Sequence, residues 1–411
     1  MEFRDYQVDI IDRGLKILTK TGLLYLSMEV RTGKTLTSLG IADRLGLKNV
    51  LFITKKKAMS SIGDDYNLLC PSFFMYVINY ESLHKIPEDW KKWDLIVCDE
   101  AHSMGAFPKP SKRAKQVRGL LSKLSPYVIL MSGTPTPESY SQMYHQVYGV
   151  ENNPFSRYKN FYSFCKDYVN VTQKKINGFS INDYSGGREN ILEMMKPYSI
   201  SYTQKLAGFK TEINENILEV EIEEKTLDLI AKLKKDLVVE GREETILADT
   251  AVKLMTKVHQ LCSGTVKFES GNSMVLDYSK ANFIRDKFLG KKIGIFYKFK
   301  EELNALKVVY GDDLVTELED FNGSDKTIAL QIVSGREGIS LREAECLVYY
   351  NIDFSATSYW QSRDRMTTKD RLKNSIYWVF SKGGIEKDIY KAVIKKKDYT
   401  LNHFKRDLLT L

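Results

Sequence analysis

The chain has 411 residues, with 61 Lys+Arg against 53 Asp+Glu, 43% hydrophobic residues and 9 prolines, which excludes a disordered or fibrous protein and allows two or three domains. A formal charge of +8 fits a nucleic-acid partner but is ordinary at this length, so charge alone leaves the function open. The apolar runs are strand-sized, far below the roughly 18–20 residues of a membrane span, and Met1-Glu2-Phe3-Arg4-Asp5-Tyr6 carries charge where a signal peptide is apolar, so we expect no membrane contact and a cytoplasmic location.

In chain order, Asn49–Thr54, Leu95–Cys98 and Tyr127–Met131 are short β-branched or apolar runs that end in polar or Gly/Pro-rich turns, the pattern of buried parallel strands. Amphipathic segments separate them, beginning with Thr35–Leu45, so residues 1–150 read as a doubly wound parallel-sheet α/β domain. Residues 151–285 differ. Tyr, Phe and Asn crowd 151–210, and 211–250 carries twelve acids against five bases, which reads as a mainly helical insertion with a linker. Within it Leu218, Val220 and Ile222 alternate with Glu219, Glu221 and Glu223 as in a half-exposed strand. Ala251, Leu254, Met255, Val258, Leu261 and Cys262 recur at helical spacing and stop before Gly264. Residues 286–411 repeat the α/β pattern with runs at Lys292–Phe296, Thr327–Ile332, Cys346–Tyr350 and Ser375–Val379.

Cys70, Cys98, Cys165, Cys262 and Cys346 are scattered singly, which argues against a disulfide framework or a structural zinc. The chemistry-bearing residues lie elsewhere. Glu29-Val30-Arg31-Thr32-Gly33-Lys34-Thr35 follows the apolar run Leu23–Leu26 and precedes a helix, as the second half of a phosphate-binding loop does, although Met28 stands where the first glycine is usual. In such a loop backbone N–H groups face the phosphates, Lys34 reaches the β/γ-phosphates and the Thr35 hydroxyl holds Mg²⁺. A later strand runs into Asp99-Glu100-Ala101-His102, at the strand end where α/β sheets place ligand groups, with Asp99 suited to Mg²⁺ and Glu100 to general-base work. A third strand ends in Ser132-Gly133-Thr134-Pro135-Thr136, a tight turn of small hydroxyl residues.

In this order the three segments resemble motifs I, II (DEAH type) and III of superfamily 2 helicases and translocases. The closer resemblance is to the Swi/Snf-like branch, particularly its compact bacterial and bacteriophage members. Arg4-Asp5-Tyr6-Gln7 resembles the adenine-recognition segment, Phe52-Ile53-Thr54-Lys55 motif Ia, Val77–Leu83 motif Ib and Ile295-Phe296-Tyr297 motif IV. Gly335-Arg336-Glu337-Gly338-Ile339-Ser340-Leu341 with Ala344 resembles motif V, Gln361-Ser362-Arg363-Asp364-Arg365 motif VI, and Ile385–Tyr390 with Lys395-Lys396-Lys397 the C-terminal helix.

The resemblance implies two RecA-like domains that close on ATP and Mg²⁺. It places Arg4, Gln7, Arg31, Thr32, Gly33, Lys34, Thr35 and Gly338 at the nucleotide, Thr35 and Asp99 at Mg²⁺, and Lys34, Glu100, Gln361 and Arg365 in catalysis, Arg365 as the arginine finger. Thr368 stands where the family has a second arginine, so Arg363 or Arg371 is an alternative finger. His102, Ser132 and Thr134 would couple the phosphate site to its surroundings. Lys55, Lys56, Lys112, Arg113 and Arg336 are the candidates for DNA-backbone contact. The stretch Ser103–Pro137 has six bases and no acid, which fits either a phosphate track or a solvated face.

The implied function is a DNA-dependent ATPase motor that translocates on duplex or branched DNA in replication, recombination, repair or remodelling, in the cytoplasm of a bacterium or an infected host cell. A 3′→5′ helicase or annealing enzyme on single-stranded or branched DNA, less readily RNA, is a second reading, and a nucleotide-switched binding module a third. We expect a monomer, targeted by its insertion or by a protein partner.

Overall fold

The computed structural model describes residues 2–87, 92–124, 126–176, 179–335, 339–368 and 370–394. The chain divides into two compact units, Met1–Phe209 and Lys210–Leu411.

In the first unit the strands are β1 (Leu23–Met28), β2 (Asn49–Thr54), β3 (Phe74–Asn79), β4 (Leu95–Cys98), β5 (Tyr127–Met131) and β6 (Ser199–Tyr202). They form one sheet in the order β3-β2-β4-β5-β1-β6, every pair parallel. Parallel neighbours need long crossovers, and α1 (Asp5–Thr21), α2 (Lys34–Arg44), α3 (Met59–Leu69) and α4 (Lys112–Leu124) are among the helices that flank this sheet.

Because a central strand is covered on both faces, β1 is apolar at almost every position, and its alternation feeds two cores. Leu24, Leu26 and Met28 join Ile10, Ile11, Leu39 and Ile41 of α1 and α2. Leu23 and Tyr25 join Tyr144, Phe155, Phe161, Phe164 and Tyr168 on the other face. The aromatic crowding after residue 150 therefore builds a layer of the first unit, with Tyr144 edge-on to Phe161 at 5.7 Å.

The second unit repeats the plan with β7 (Glu212–Val220), β8 (Ile293–Tyr297), β9 (Leu314–Val315), β10 (Thr327–Gln331), β11 (Cys346–Tyr349) and β12 (Lys373–Ser381). Their order is β9-β10-β8-β11-β12-β7, again all parallel. The fold is thus α/β with two RecA-like doubly wound sheets.

Residues 151–285 are shared between the units. Their helices include Phe161–Tyr168, Glu224–Asp236 and Ala251–Cys262, the last with the limits its spacing predicts. They also supply an edge strand to each sheet, β6 and β7, which a mainly helical reading leaves out. β7 runs Glu212–Val220, so Glu221, Ile222 and Glu223 of the alternating stretch lie beyond it. Among the described residues no helix is long and apolar enough to cross a membrane.

Candidate nucleotide site

β1 ends at Met28, and Glu29–Gly33 carry the chain into α2. Gly33 has φ +79, a conformation that favours glycine, and a Cβ there would lie 2.5 Å from Gln7 Nε2 and displace that side chain. Arg31 is also left-handed, at φ 64. Thr32 Oγ1 and Lys34 Nζ both donate to the Glu29 carbonyl, at 2.7 and 3.2 Å.

The N-terminal segment lies on this loop. The Tyr6 hydroxyl donates to the Thr32 carbonyl at 3.1 Å, and Gln7 Nε2 to the Gly33 carbonyl at 3.4 Å. Arg4 N–H in turn donates to Gln7 Oε1 at 3.1 Å, and Arg4 Nη1 to the Tyr6 hydroxyl at 3.0 Å. The predicted nucleotide residues Arg4, Gln7, Thr32, Gly33 and Lys34 are therefore brought together, with Thr35 in the first turn of α2.

β4 delivers the second set. Asp99 Oδ2 accepts from Thr54 Oγ1 at 2.8 Å, and the Tyr80 hydroxyl donates to the Asp99 carbonyl at 2.6 Å, so β2, the turn after β3 and β4 are fastened at one point. Burial and the Glu100 charge push the Asp99 carboxyl up to about 6, against the opposing effect of Lys34 and the Thr54 hydrogen bond. Glu100 is left-handed, at φ 49. Burial disfavours its charge, yet the His102 hydrogen bond and the charges of His102, Lys55 and Lys34 outweigh that and hold it below the usual carboxylate range.

His102 Nδ1 lies 3.2 Å from Glu100 Oε2 and 3.0 Å from Ser132 Oγ. A carboxylate can only accept, so we assign the proton to Nδ1. Ser132 Oγ accepts from Thr134 N–H at 3.0 Å, which completes a path from Glu100 through His102 to the turn after β5. The Thr134 hydroxyl itself is buried with no hydrogen-bond partner.

The predicted DNA contacts differ in setting. Lys56 and Lys112 are exposed, and Lys55 is half-buried beside Glu100. Arg113 donates through Nε to Glu81 Oε1 at 3.0 Å and lies over the Tyr80 ring at 5.0 Å, so it braces the residue that holds Asp99. Arg336 and Gly338, with Lys395-Lys396-Lys397, lie outside the described residues.

In the second unit the helix Ala356–Arg363 and the turn Asp364–Met366 carry Gln361 and Arg365, 2% and 6% exposed. Arg365 Nε donates to the Gln361 carbonyl at 2.9 Å and Nη1 to the Ile339 carbonyl at 3.2 Å. Leu341 N–H returns a bond to the Arg365 carbonyl at 2.9 Å. The alternative arginines have other partners. Arg363 Nη1 is 3.0 Å from Glu215 Oε1, and Arg371 donates to the carbonyls of Arg342, Ala344 and Glu345 at 2.7–3.0 Å.

The SNF2-related domain model matches residues 33–263, more than half of the chain. This chain belongs to the SNF2-related family. It is similar to the SWI2/SNF2 ATPase core of Sulfolobus solfataricus, solved in complex with dsDNA, at 14% identity and a TM-score of 0.42 over 96% of this chain and 91% of that one. No curated protein matches the sequence.

The donor set of this SNF2-related domain fits Mg²⁺, since the Thr35 hydroxyl and the Asp99 carboxylate are hard oxygen donors. Two contributors were not legible in its sequence. Tyr202 stacks on Tyr6 at 4.7 Å and 15°, Gln204 N–H donates to Glu29 Oε2 at 2.6 Å, and Gln204 Nε2 donates to the Val30 carbonyl at 2.9 Å. No spacing signals such pairs, because the partners lie far apart in the chain.

Proposed function

We propose that this chain is a DNA-dependent ATPase that couples ATP hydrolysis to movement along duplex or branched DNA. Membership of the SNF2-related family supports the class. The observation that carries the reading is the placement of His102 Nδ1 3.2 Å from Glu100 Oε2 and 3.0 Å from Ser132 Oγ, because it ties the carboxylate suited to general-base work to the turn after the neighbouring strand.

In this reading Arg4 and Gln7 recognise the base, and the loop Arg31–Thr35 with Gly338 receives the phosphates. Lys34 places its charge on the β/γ-phosphates, and Glu100 takes the proton of the attacking water. Thr35 and Asp99 hold Mg²⁺, which when bound neutralises phosphate charge. Gln361 and Arg365 are the catalytic candidates that the second unit supplies, with Arg365 as the finger. Lys55, Lys56, Lys112, Arg113 and Arg336 contribute to the DNA-facing surface.

The test is steady-state ATP hydrolysis without polynucleotide and with single-stranded DNA, duplex DNA, a branched fork or RNA at one low salt concentration. Stimulation by duplex or fork, abolished by Lys34→Ala, is the expected result. Stimulation by single strands or RNA alone would favour the unwinding or annealing reading. Absence of turnover would leave a nucleotide-switched module.

A further inference from the structure

Glu215 lies on β7, the first strand of the second unit, and its carboxylate receives donors from three other elements. Oε1 accepts from the Tyr359 hydroxyl at 2.7 Å and is 3.0 Å from Arg363 Nη1, both on the helix Ala356–Arg363. Oε2 accepts from Trp378 Nε1 on β12 and from the Tyr390 hydroxyl on the helix Glu386–Ile394, each at 2.9 Å. A carboxylate has about four lone-pair directions, and these four donors use them all. Glu215 and Arg363 side chains are only 14% and 16% exposed.

Stability alone explains this arrangement poorly. Desolvating two charges roughly cancels their attraction, and an apolar packing of the same volume serves a core as well. What the two Oε1 contacts, to Tyr359 and Arg363, add is fixed geometry at the end of the helix Ala356–Arg363. Arg363 is held by Glu215, donates to the Tyr359 hydroxyl at 3.0 Å, and lies over the Tyr359 and Trp360 rings at 5.2 and 4.8 Å. With its guanidinium committed there, Arg363 is an anchor for the helix end from which Arg365 emerges two residues later.

We propose that Glu215 is a positioning residue for ATP hydrolysis: through Arg363 it fixes the turn that carries Arg365. This rests on the reading of the chain as an ATPase with Arg365 as its finger. It also makes β7, an acidic edge strand, part of the hydrolytic machinery.

The test is hydrolysis at saturating duplex DNA by wild type, Glu215→Gln, Arg363→Gln and the double variant, with Tyr390→Phe as a control. A glutamine amide nitrogen cannot accept, so either Trp378 Nε1–H or the Arg363 guanidinium would face another donor, while the tyrosine hydroxyl on that side can turn to accept. Glu215→Gln is expected to lower kcat on the order of tenfold with KM for ATP within about twofold. In the Arg363→Gln background it should add less than about twofold more, because both changes break one unit. Tyr390→Phe removes a single donor and keeps the pair, so it should lower the thermal midpoint and leave kcat unchanged. Unchanged kcat in folded Glu215→Gln, independent effects in the double variant, or an equal kcat loss in Tyr390→Phe would overturn the proposal. If Glu215→Gln does not fold, Arg363→Gln decides by the same kcat and KM criterion. A wild type that hydrolyses no ATP with any polynucleotide would instead overturn the parent reading.

Discussion

His102 Nδ1 stands 3.2 Å from Glu100 Oε2 and 3.0 Å from Ser132 Oγ, so one imidazole touches both the base candidate and the turn after the next strand in the sheet. It is 8% exposed, which keeps water from substituting for it. His102→Ala should leave nucleotide binding intact and lower DNA-stimulated kcat by roughly ten- to a hundredfold, with a smaller effect on basal turnover. Ser132→Ala keeps the imidazole on Glu100 and should spare basal turnover while reducing the DNA response. Equal losses in both assays for both variants would make His102 a structural residue only.

Binding and turnover should separate at Glu100. Glu100→Gln keeps the shape of the side chain but removes the base, so Mg²⁺–ATP at a hundred times its Kd should still stabilise the variant by about 2.7 kcal/mol, with turnover lost. Lys34→Ala should lose most of that stabilisation, because in the proposed function its ammonium supplies the loop's charge to the β/γ-phosphates. A thermal-shift titration with ATP, read beside phosphate release, distinguishes the two. A Glu100→Gln protein that turns over normally would require another base.

Lys112 and Arg113 are neighbours on α4 with different surroundings. Lys112 is exposed, so Lys112→Ala should weaken duplex binding for all sequences and reduce the slope of log affinity against log salt by ~1. Arg113 is engaged by Glu81 and Tyr80, so Arg113→Ala should also cost about 0.5–1 kcal/mol of stability. Fluorescence anisotropy across a salt series and thermal melts check both. An unchanged salt slope in Lys112→Ala would remove it from the DNA-facing surface.

The central strands of both sheets were legible because parallel strands are continuous apolar runs that stop abruptly at a site, whereas β3, β6 and β9 were not read as strands. Leu95–Cys98 breaks directly into Asp99, and Asn49–Thr54 into Lys55, and both runs have the limits their pattern suggests. The aromatic stretch after residue 150 misled for a physical reason. Tyr158, Phe161, Phe164 and Tyr168 bury against one face of the first sheet without a long helical period, so they resembled a separate insertion. Tyr202 and Gln204 on the phosphate loop, and Glu215 beneath Arg363, arise from chain crossing. A glutamate in an acidic stretch gives no sign that four donors will meet it.

His259 provides a pH signature of the second unit. It is fully buried, with Nε2 2.6 Å from Asn351 Oδ1, while Asn351 Nδ2 donates to Glu302 Oε1 at 2.6 Å. Its Nδ1 is buried without a partner. Burial, then the nearby Lys298 charge, holds its pKa well below the ordinary 6.5, with Lys280 adding to the depression, while the Asn351 hydrogen bond and Asp353 oppose it. The folded chain therefore stays neutral at His259 where the unfolded chain binds a proton. Below about pH 6.5 this site should cost about 1.4 kcal/mol of stability per pH unit, down to the folded pKa. Glu302 acts in the opposite direction. Burial raises it above 4.5, so its contribution is present at low pH and is lost as pH rises from there through its folded pKa. Urea midpoints of wild type and His259→Gln at pH 7.5, 6.5 and 5.5 isolate the histidine, because Glu302 is common to both. The wild type should lose stability relative to His259→Gln between pH 6.5 and 5.5, and parallel curves would mean that the imidazole takes up a proton in the fold.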